Sequence, residues 1–409
     1  MSMRPFREQL ERVIAAATPL PAREVPLADA LGLRLAAPAH AACDLPGFDN
    51  SAMDGYAVRR TDVAVAGTVL RVVADVPAGS GNDPELATGE CARIMTGAPV
   101  PTAADAVVPL EATTLGTAIT PALPETIEVT QVPALGAHIR RQGEDIHTGE
   151  IVAEIGTRIG ARSLSALAAA GIGKVSVHPR PRVATVSTGD ELVVPGSREL
   201  QRGEIFDSNS MLLAGLVAEA GAELVGSFHS SDAGDGFLHT LEQADAVADV
   251  IITTGGVSVG AFDVVRLELE RSQWQVEFAK IAMQPGKPQG FGTTAAGGIL
   301  FALPGNPVSV FASFEAFVRP ALRRLAGERD AMHDIVLAEA GAAWRTSANR
   351  TQLMPVRFTS EGRVVPATDG GSRSHLVARL AAAEGLAVVP AECAEVVPGQ
   401  ELEVWKVLA

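Results

Sequence analysis

Cysteine is scarce in this chain of 409 residues. Cys43, Cys91 and Cys393 lie far apart and form no CxxC pair. That argues against a disulfide framework or a structural zinc site and fits a reducing compartment. Aromatic residues make up only 4%, so Ala, Val and Leu must fill the core. Uninterrupted apolar runs are short, and none approaches the roughly 18 residues needed to span a bilayer. The opening stretch, MSMRPFREQLERVIAAA, is no signal peptide: Phe6, Leu10, Val13, Ile14 and Ala17 follow helical spacing with charges between them. A cytoplasmic location without a membrane partner is expected. Positive charge is also in deficit. The net charge of −15 disfavours binding to nucleic acid or to an anionic membrane. An anionic substrate would have to be drawn in locally, by helix N-termini, a few placed Arg or Lys, or a bound cation. The 8 histidines show no metal-ligand spacing. His229 and His375, nearest the motif loops, read as structural or solvated. No Ser-His-Asp or Cys-His arrangement suggests itself.

What is present is ordered along the chain. Hydrophobic residues at 47% permit large cores, and a prior of roughly 150 residues per domain gives two to four domains. Residues 1 to 43 read as helical and turn-rich. Between 61 and 146, TVLRVVADVPAG, CARIMTGAPV and ETIEVTQVP are β-rich runs separated by Gly and Pro, as in a small β domain. GARSLSALAAAG (160–171) reads as a helix stopped by Gly171. From 180 to 326, apolar strands (PRVATVSTG, AELVGSFHSSD, DVIITTGG, ILFALPG) alternate with helices (SNSMLLAGLVAEAG, DGFLHTLEQA, FDVVRLELER, PVSVFASFEAFVRPALRRLAG). This predicts an α/β domain with a parallel sheet covered on both faces. Ligands of such sheets bind beyond the carboxyl ends of the strands. After about 330, short β-like runs (VRFTSEGRVVPAT, GLAVVPAE, QELEVWKVL) predict a C-terminal β domain.

Four loops of the second half carry candidate chemistry. STGDEL (187–192) puts Ser187, Thr188 and Gly189 after a strand, followed by Asp190 and Glu191; alone it reads equally well as a solvated turn. In TTGGVSVG (253–260), Gly255 and Gly256 let backbone N–H groups approach a ligand closely. Such a nest suits phosphate, with Ser258 beside it and Asp263 shortly after. The loop is neither a Walker loop nor a dinucleotide fingerprint. In ALPGNPVS (302–309), Pro304 follows a strand, Gly305 permits unusual φ, Asn306 can cap, and Pro307 suits a first helical turn. The N–H groups of residues 308 and 309 and the Ser309 hydroxyl then make an anion seat. QPGKPQGFG (284–292) sets Lys287 in a loop stiffened by Pro285 and Pro288. Acids recur as well: Asp54, Asp145, Glu191, Asp232 and Asp263. Two carboxylates 4 Å apart cost about 4 kcal/mol at an effective dielectric near 20. Convergence of several would require protonation or a cation, and hard oxygens with a phosphorylated substrate favour magnesium.

Seven strings together resemble the molybdopterin molybdenumtransferases, which include the bacterial MoeA proteins and the E domain of gephyrin. They are PGFDNSAMDGYAV, ARIMTGAPVP, RRQGEDI, VSTGDEL, TTGGVSVG, PGKP and LPGNPVS, in family order over nearly the whole chain. The resemblance implies insertion of molybdate into adenylylated molybdopterin, with divalent-cation-dependent cleavage of the adenylate, giving molybdenum cofactor and AMP. It implies an elongated multidomain α/β fold and a homodimer with its site at the subunit interface. The implied parts are a helical linker domain (1–43 with 147–179), an inserted β domain (44–146), a pterin-binding α/β domain (180–326) like that of molybdopterin adenylyltransferases, and a C-terminal β domain (330–409). Asp54, Thr96 and Asp145 would face the α/β loops across the interface, and Asn50 and Ser51 would shape their loop or touch ligand. Glu191, Asp232, Asp263, Pro304 and Pro307 match positions linked to activity, with Glu191 and Asp263 as candidate magnesium ligands. Lys287, Ser309, Arg350 and Ser374 match positions linked to molybdate. Many relatives read KPGKP where this chain has Gln284, which removes one positive charge from that site. Transient contact with the adenylyltransferase and with apo-molybdoenzymes is also implied. The competing readings are an adenylyltransferase-like nucleotide enzyme and a non-catalytic pterin-binding scaffold; tungstate could replace molybdate.

Overall fold

Apolar residues that alternate along strands, and glycines that stop helices, shape the computed structural model, which describes residues 3–117, 121–230, 236–255, 264–368 and 375–407. The chain divides into two units. One comprises Met1–Arg23, Gly32–Ala36 and Ser176–Ala409; the other comprises Glu24–Leu31 and Ala37–Val175. The first helix, α1 (Phe6–Ala16), buries Gln9 and Val13 on the expected face.

The second unit is built on β1 (Gly55–Val58), β2 (Thr68–Val76), β3 (Glu90–Ile94), β4 (Ala106–Pro109) and β5 (Thr126–Val129), which lie in the order β4-β1-β3-β2-β5. Successive side chains of a strand face opposite ways. Tyr56 and Val58 therefore join Leu70, Cys91, Val108 and Ile127 in one core, while Ala57 joins Val76, Ala92, Ile94 and Val107 in another. The helix expected at 160–171 is α2 (Ala161–Ala169), ended by Gly171 at φ 78°.

The first unit carries β6 (Arg182–Thr188), α3 (Ser208–Glu219), β7 (Glu223–Ser230), α4 (Gly236–Asp245), β8 (Val250–Thr254), α5 (Val264–Arg271), β9 (Gln275–Lys280), β10 (Pro288–Thr293), β11 (Ile299–Leu303), α6 (Pro307–Ser313) and α7 (Arg319–Leu325). The sheet order is β7-β6-β8-β11-β10-β9. Its faces are read off alternate residues. Val250, Ile252, Phe301 and Leu303 pack with α1, α3, α6 and α7; Ile251, Leu300 and Ala302 pack with α4 and α5.

The sheet is mixed, which corrects the expectation of a parallel one. β7, β6, β8 and β11 are parallel, but β10 runs antiparallel to both β11 and β9. QPGKPQGFG, expected to be a loop stiffened by Pro285 and Pro288, also holds Gly290 and Gly292. Here they serve a strand: a Cβ on Gly290 would lie 2.8 Å from the Phe278 ring, and one on Gly292 would collide with the Gln275 carbonyl. The long helix expected after residue 306 is also interrupted. A wide turn over Phe314–Val318 separates α6 from α7, and the Arg319 amide bonds back to Phe314 O. Pro320 has no N–H for the Ala316 carbonyl and its ring would crowd that oxygen, so the helix widens there.

The chain ends in β12 (Ile335–Glu339), β13 (Thr351–Phe358), β14 (Gly385–Val389) and β15 (Glu401–Lys406), in the antiparallel order β13-β14-β15-β12. Met283–Gln284 pairs in parallel with the start of β13. Leu353, Leu386 and Trp405 from these strands share a core with Val13, Phe301 and Phe317. No helix among the described residues is long and apolar enough to cross a membrane.

Candidate functional site

Parallel ladders bring three loops to one edge. Ser187 on β6 pairs with Thr254 on β8, and Thr254 pairs with Leu303 on β11. The segments 188–191, 254–255 and 303–306 therefore leave the sheet side by side. The Thr188 hydroxyl donates to Thr254 O at 3.2 Å, and the Gly255 amide donates to Leu303 O at 3.3 Å. Gly255 sits at φ 93°, where a Cβ would lie 2.6 Å from Thr188 Oγ1 and 2.9 Å from its carbonyl oxygen. A Cβ on Gly305 would in turn reach within 3.4 Å of Gly255 Cα. Gly189 turns at φ 139° over the exposed Glu191 carboxylate, which no donor among the described residues engages. Gly255→Ala combines a left-handed φ with a steric clash. We expect it to separate the Thr188 and Gly305 loops at a cost of roughly 1–3 kcal/mol, as for such backbone strain; urea unfolding of the variant checks this.

The LPGNPVS turn differs in detail from expectation. Gly305 is not left-handed; its lack of a side chain serves close approach to Gly255. Asn306 occupies the N-cap without a side-chain cap bond. The Ser309 amide donates to Asn306 O at 2.9 Å, so it is not free for an anion, and Ser309 itself is buried. Pro304 is buried and Pro307 opens α6.

Lys287 lies in the turn that leads into β10 rather than in a free loop. It is half-buried, and its carbonyl accepts the Ile281 amide at 2.7 Å. Pairing of Met283–Gln284 with β13 brings Gln284 to Arg350, whose Nη1 donates to Gln284 Oε1 at 2.7 Å. Gln284 thus accepts a hydrogen bond from a guanidinium that a lysine at this position would repel.

In the other unit, Asp54 Oδ1 accepts both the Thr96 amide at 2.7 Å and the Thr96 hydroxyl at 2.8 Å. The DNSAMDG loop is stitched from within. Ser51 Oγ donates to Met53 O at 2.5 Å, and Asn50–Ser51 pairs with Ile139–Arg140. Asp49 accepts from the Gln142 amide and from Arg141, which hold its carboxyl below the usual carboxylate range. Asn50 is buried and its Oδ1 lacks a partner among the described residues. Asp145 is exposed, its amide bonded to Leu45 O at 2.9 Å.

Asp232, Gly256, Ser258, Asp263 and Ser374 lie outside the described residues. Among the described residues no group of three or more His, Cys, Asp or Glu side chains could hold a metal ion.

Two contacts with the candidate loops were not expected from the sequence. His229, read as structural or solvated, places Nδ1 3.2 Å from Ser187 Oγ, because the two are register partners on adjacent strands. Their separation in sequence carried no signal. Asn209 donates to Gly305 O at 2.7 Å. The string DSNS did hold a clue: Asp207 caps α3 by accepting the Ser210 amide at 3.1 Å, and the cap sets Asn209 in the first turn.

Fold and site define a multidomain α/β protein whose candidate loops meet at the carboxyl edge of a doubly covered sheet, the usual position for a ligand of such folds. The comparisons with known proteins sharpen this. Family models match at residues 4–171 (MoeA N-terminal region, domain I and II), 184–324 (probable molybdopterin binding domain) and 338–407 (MoeA C-terminal region, domain IV). The chain is 40% identical to molybdopterin molybdenumtransferase 2 of Mycobacterium tuberculosis, over 93% of this chain and 94% of that one. It is 36% identical to molybdopterin molybdenumtransferase 1 of the same organism, over 98% of each. The crystal structure of the MoeA molybdopterin biosynthesis protein from Pyrococcus horikoshii superposes with a TM-score of 0.84 at 31% identity, covering 99% of both chains. The chain belongs to the MoeA family of molybdopterin molybdenumtransferases, transferases of molybdenum cofactor biosynthesis.

Proposed function

We propose that the crevice at the ends of β6, β8 and β11 binds adenylylated molybdopterin, and that molybdate is inserted there into the dithiolene with release of AMP. The observation that supports this most is the contact of the Thr188, Gly255 and Gly305 loops at one sheet edge in a chain of this family. Ser187, Thr188, Gly189, Gly255, Gly256, Ser258 and residues 304–307 would line the pterin and phosphate side. Lys287, Ser309, Arg350 and Ser374 would face molybdate. An oxygen of water or molybdate bonds to the adenylate phosphorus as the anhydride P–O bond breaks; the bridging oxygen leaves on the pterin phosphate, and AMP keeps the attacking oxygen. From water, a proton passes to solvent and one molybdate oxygen later leaves as water with the two dithiol protons; from molybdate, the Mo–O bond breaks and the two dithiolene sulfurs take that place on molybdenum as their protons pass to solvent. No covalent enzyme intermediate is required. Glu191 offers hard oxygens that no described donor engages, which suits a magnesium ligand alongside Asp263. When bound, magnesium would polarise the phosphoanhydride and neutralise charge developing on it. Asp54, held by Thr96, is a fixed carboxylate; with Asp145 and Asp232 it completes the acidic set. The reading includes a homodimer in which Asp54, Thr96 and Asp145 serve the partner's crevice, and the four-part division of the chain given above.

The test mixes purified protein with adenylylated molybdopterin, molybdate and magnesium, then follows AMP release and reconstitution of an apo-molybdoenzyme. Both should occur, and a chelator should stop AMP release. Adenylylation of molybdopterin from ATP would instead assign an adenylyltransferase, and tight pterin binding without AMP release a scaffold.

A further inference from the structure

We infer that Gln289 is a positioning residue for Lys287, an inference that rests on the assignment of Lys287 to the molybdate side of the crevice. Gln289 lies on β10 and is only 4% exposed. Its Nε2 donates to Gly286 O at 2.9 Å and to Ser313 Oγ at 2.9 Å, with Met283 Sδ at 3.3 Å as a weaker third neighbour. The amide has two protons, and the two oxygens take them. Since the Gly286 carbonyl only accepts, the donor end must face it.

Three features make this more than core packing. Lys287 is held on both sides, the carbonyl of the peptide before it (Gly286) by Gln289 and the carbonyl of the peptide after it (its own) by the Ile281 amide. Gly286 sits at φ 99°, and a Cβ there would lie 2.7 Å from Ser313 Oγ and 3.1 Å from Met283 Cε, so the seam admits no other residue. Ser313 stands four residues after Ser309 on α6, and residues so spaced share a helix face. One buried amide therefore ties the turn that bears Lys287 to the helix that bears Ser309. The lysine chain keeps its own rotamers, but its Cα is anchored.

Gln289→Met keeps the volume and loses both donated bonds. It should raise the molybdate KM about tenfold, as expected for one or two such bonds, with kcat at saturating molybdate and affinity for the pterin nucleotide within about twofold. Gln289→Glu sets an oxygen against the Gly286 carbonyl and should do more; Ser313→Ala loses one acceptor and should do less. The decisive measurement is a cycle with Lys287→Ala. If Gln289 acts through Lys287, Gln289→Met adds no further rise in KM once the lysine is gone. An unchanged KM in folded Gln289→Met, where Lys287→Ala has raised it, would overturn the inference. So would an equal rise in both backgrounds. A normal KM in Lys287→Ala alone would instead remove Lys287 from the anion site, taking the underlying reading with it. Should Gln289→Met fail to fold, Ser313→Ala runs the same cycle.

Discussion

Lys287→Ala should abolish cofactor formation at micromolar molybdate while leaving binding of adenylylated molybdopterin intact. The chain carries a net charge of −15, so an oxyanion must be held by local cations against an unfavourable mean field. Gln284 brings no charge, and its carbonyl oxygen accepts a bond from Arg350. Lys287 and Arg350 thus remain as the cations assigned to molybdate. A charge-assisted bond to a dianion is worth about 3 kcal/mol, or on the order of 100-fold in affinity. The loss should appear in the molybdate KM and be recovered in part at high molybdate, because the ammonium binds the anion in ground and transition states alike. The reading proposed above places the pterin nucleotide at the Thr188, Gly255 and Gly305 loops, so its dissociation constant should not move. Steady-state AMP release at varied molybdate, set beside equilibrium binding of the pterin nucleotide, separates the two. Wild-type rates at low molybdate would take Lys287 out of the site.

The alternation of strands and helices from 180 to 326 was legible because apolar residues follow periods of two and 3.6, and because Gly221 marks the end of α3 with a positive φ, as Gly171 does for α2 before it. The convergence of STGDEL, TTGG and LPGNP at one sheet edge followed from that order alone. The hairpin β9–β10 was not legible. Gly290 and Gly292 lower strand propensity when read locally, yet they admit Phe278 and the Gln275 carbonyl from the neighbouring strand. The partnership of Ser187 with His229 depends on register, and that of Gln289 with Ser313 depends on the packing of β10 against α6; neither leaves a periodic trace. The anion seat at Ser309 was overstated, since a local turn bond to Asn306 claims the amide.

The same long-range chemistry underlies the largest stability effect we expect, from Glu315→Ala. Glu315 is fully buried in the wide turn between α6 and α7. Its carboxylate grips Arg319 in two bonds, Nε to Oε2 at 2.6 Å and Nη2 to Oε1 at 2.8 Å. Arg319 reaches one further carboxylate, that of Glu219, at 3.2 Å. His333 donates from Nε2 to Glu315 O at 2.7 Å and stacks on Trp405 at 4.7 Å. Removing the carboxylate leaves the buried guanidinium with the longer contact to the partly exposed Glu219 as its remaining ion pair among the described residues, in the core that joins α1, the central sheet and the C-terminal strands. Breaking such a pair from one side costs about 3–5 kcal/mol, which urea unfolding of the variant should register. Glu315→Ala with Arg319→Met removes both charges and should recover most of that loss; no recovery would show that the pair is not what stabilises this core. His333 supplies a pH signature. Burial holds its imidazole below the usual value of about 6.5, with the Glu315 groups pulling upward and Arg323 and Arg319 downward. The unfolded chain therefore binds a proton near pH 6.5 that the folded chain refuses until the pH is lower. Stability should be complete above that pH and decline as the pH falls toward the depressed folded value. His333→Gln should flatten this slope in unfolding curves taken between about pH 5 and 7, whereas an unchanged slope would place the proton uptake on another group.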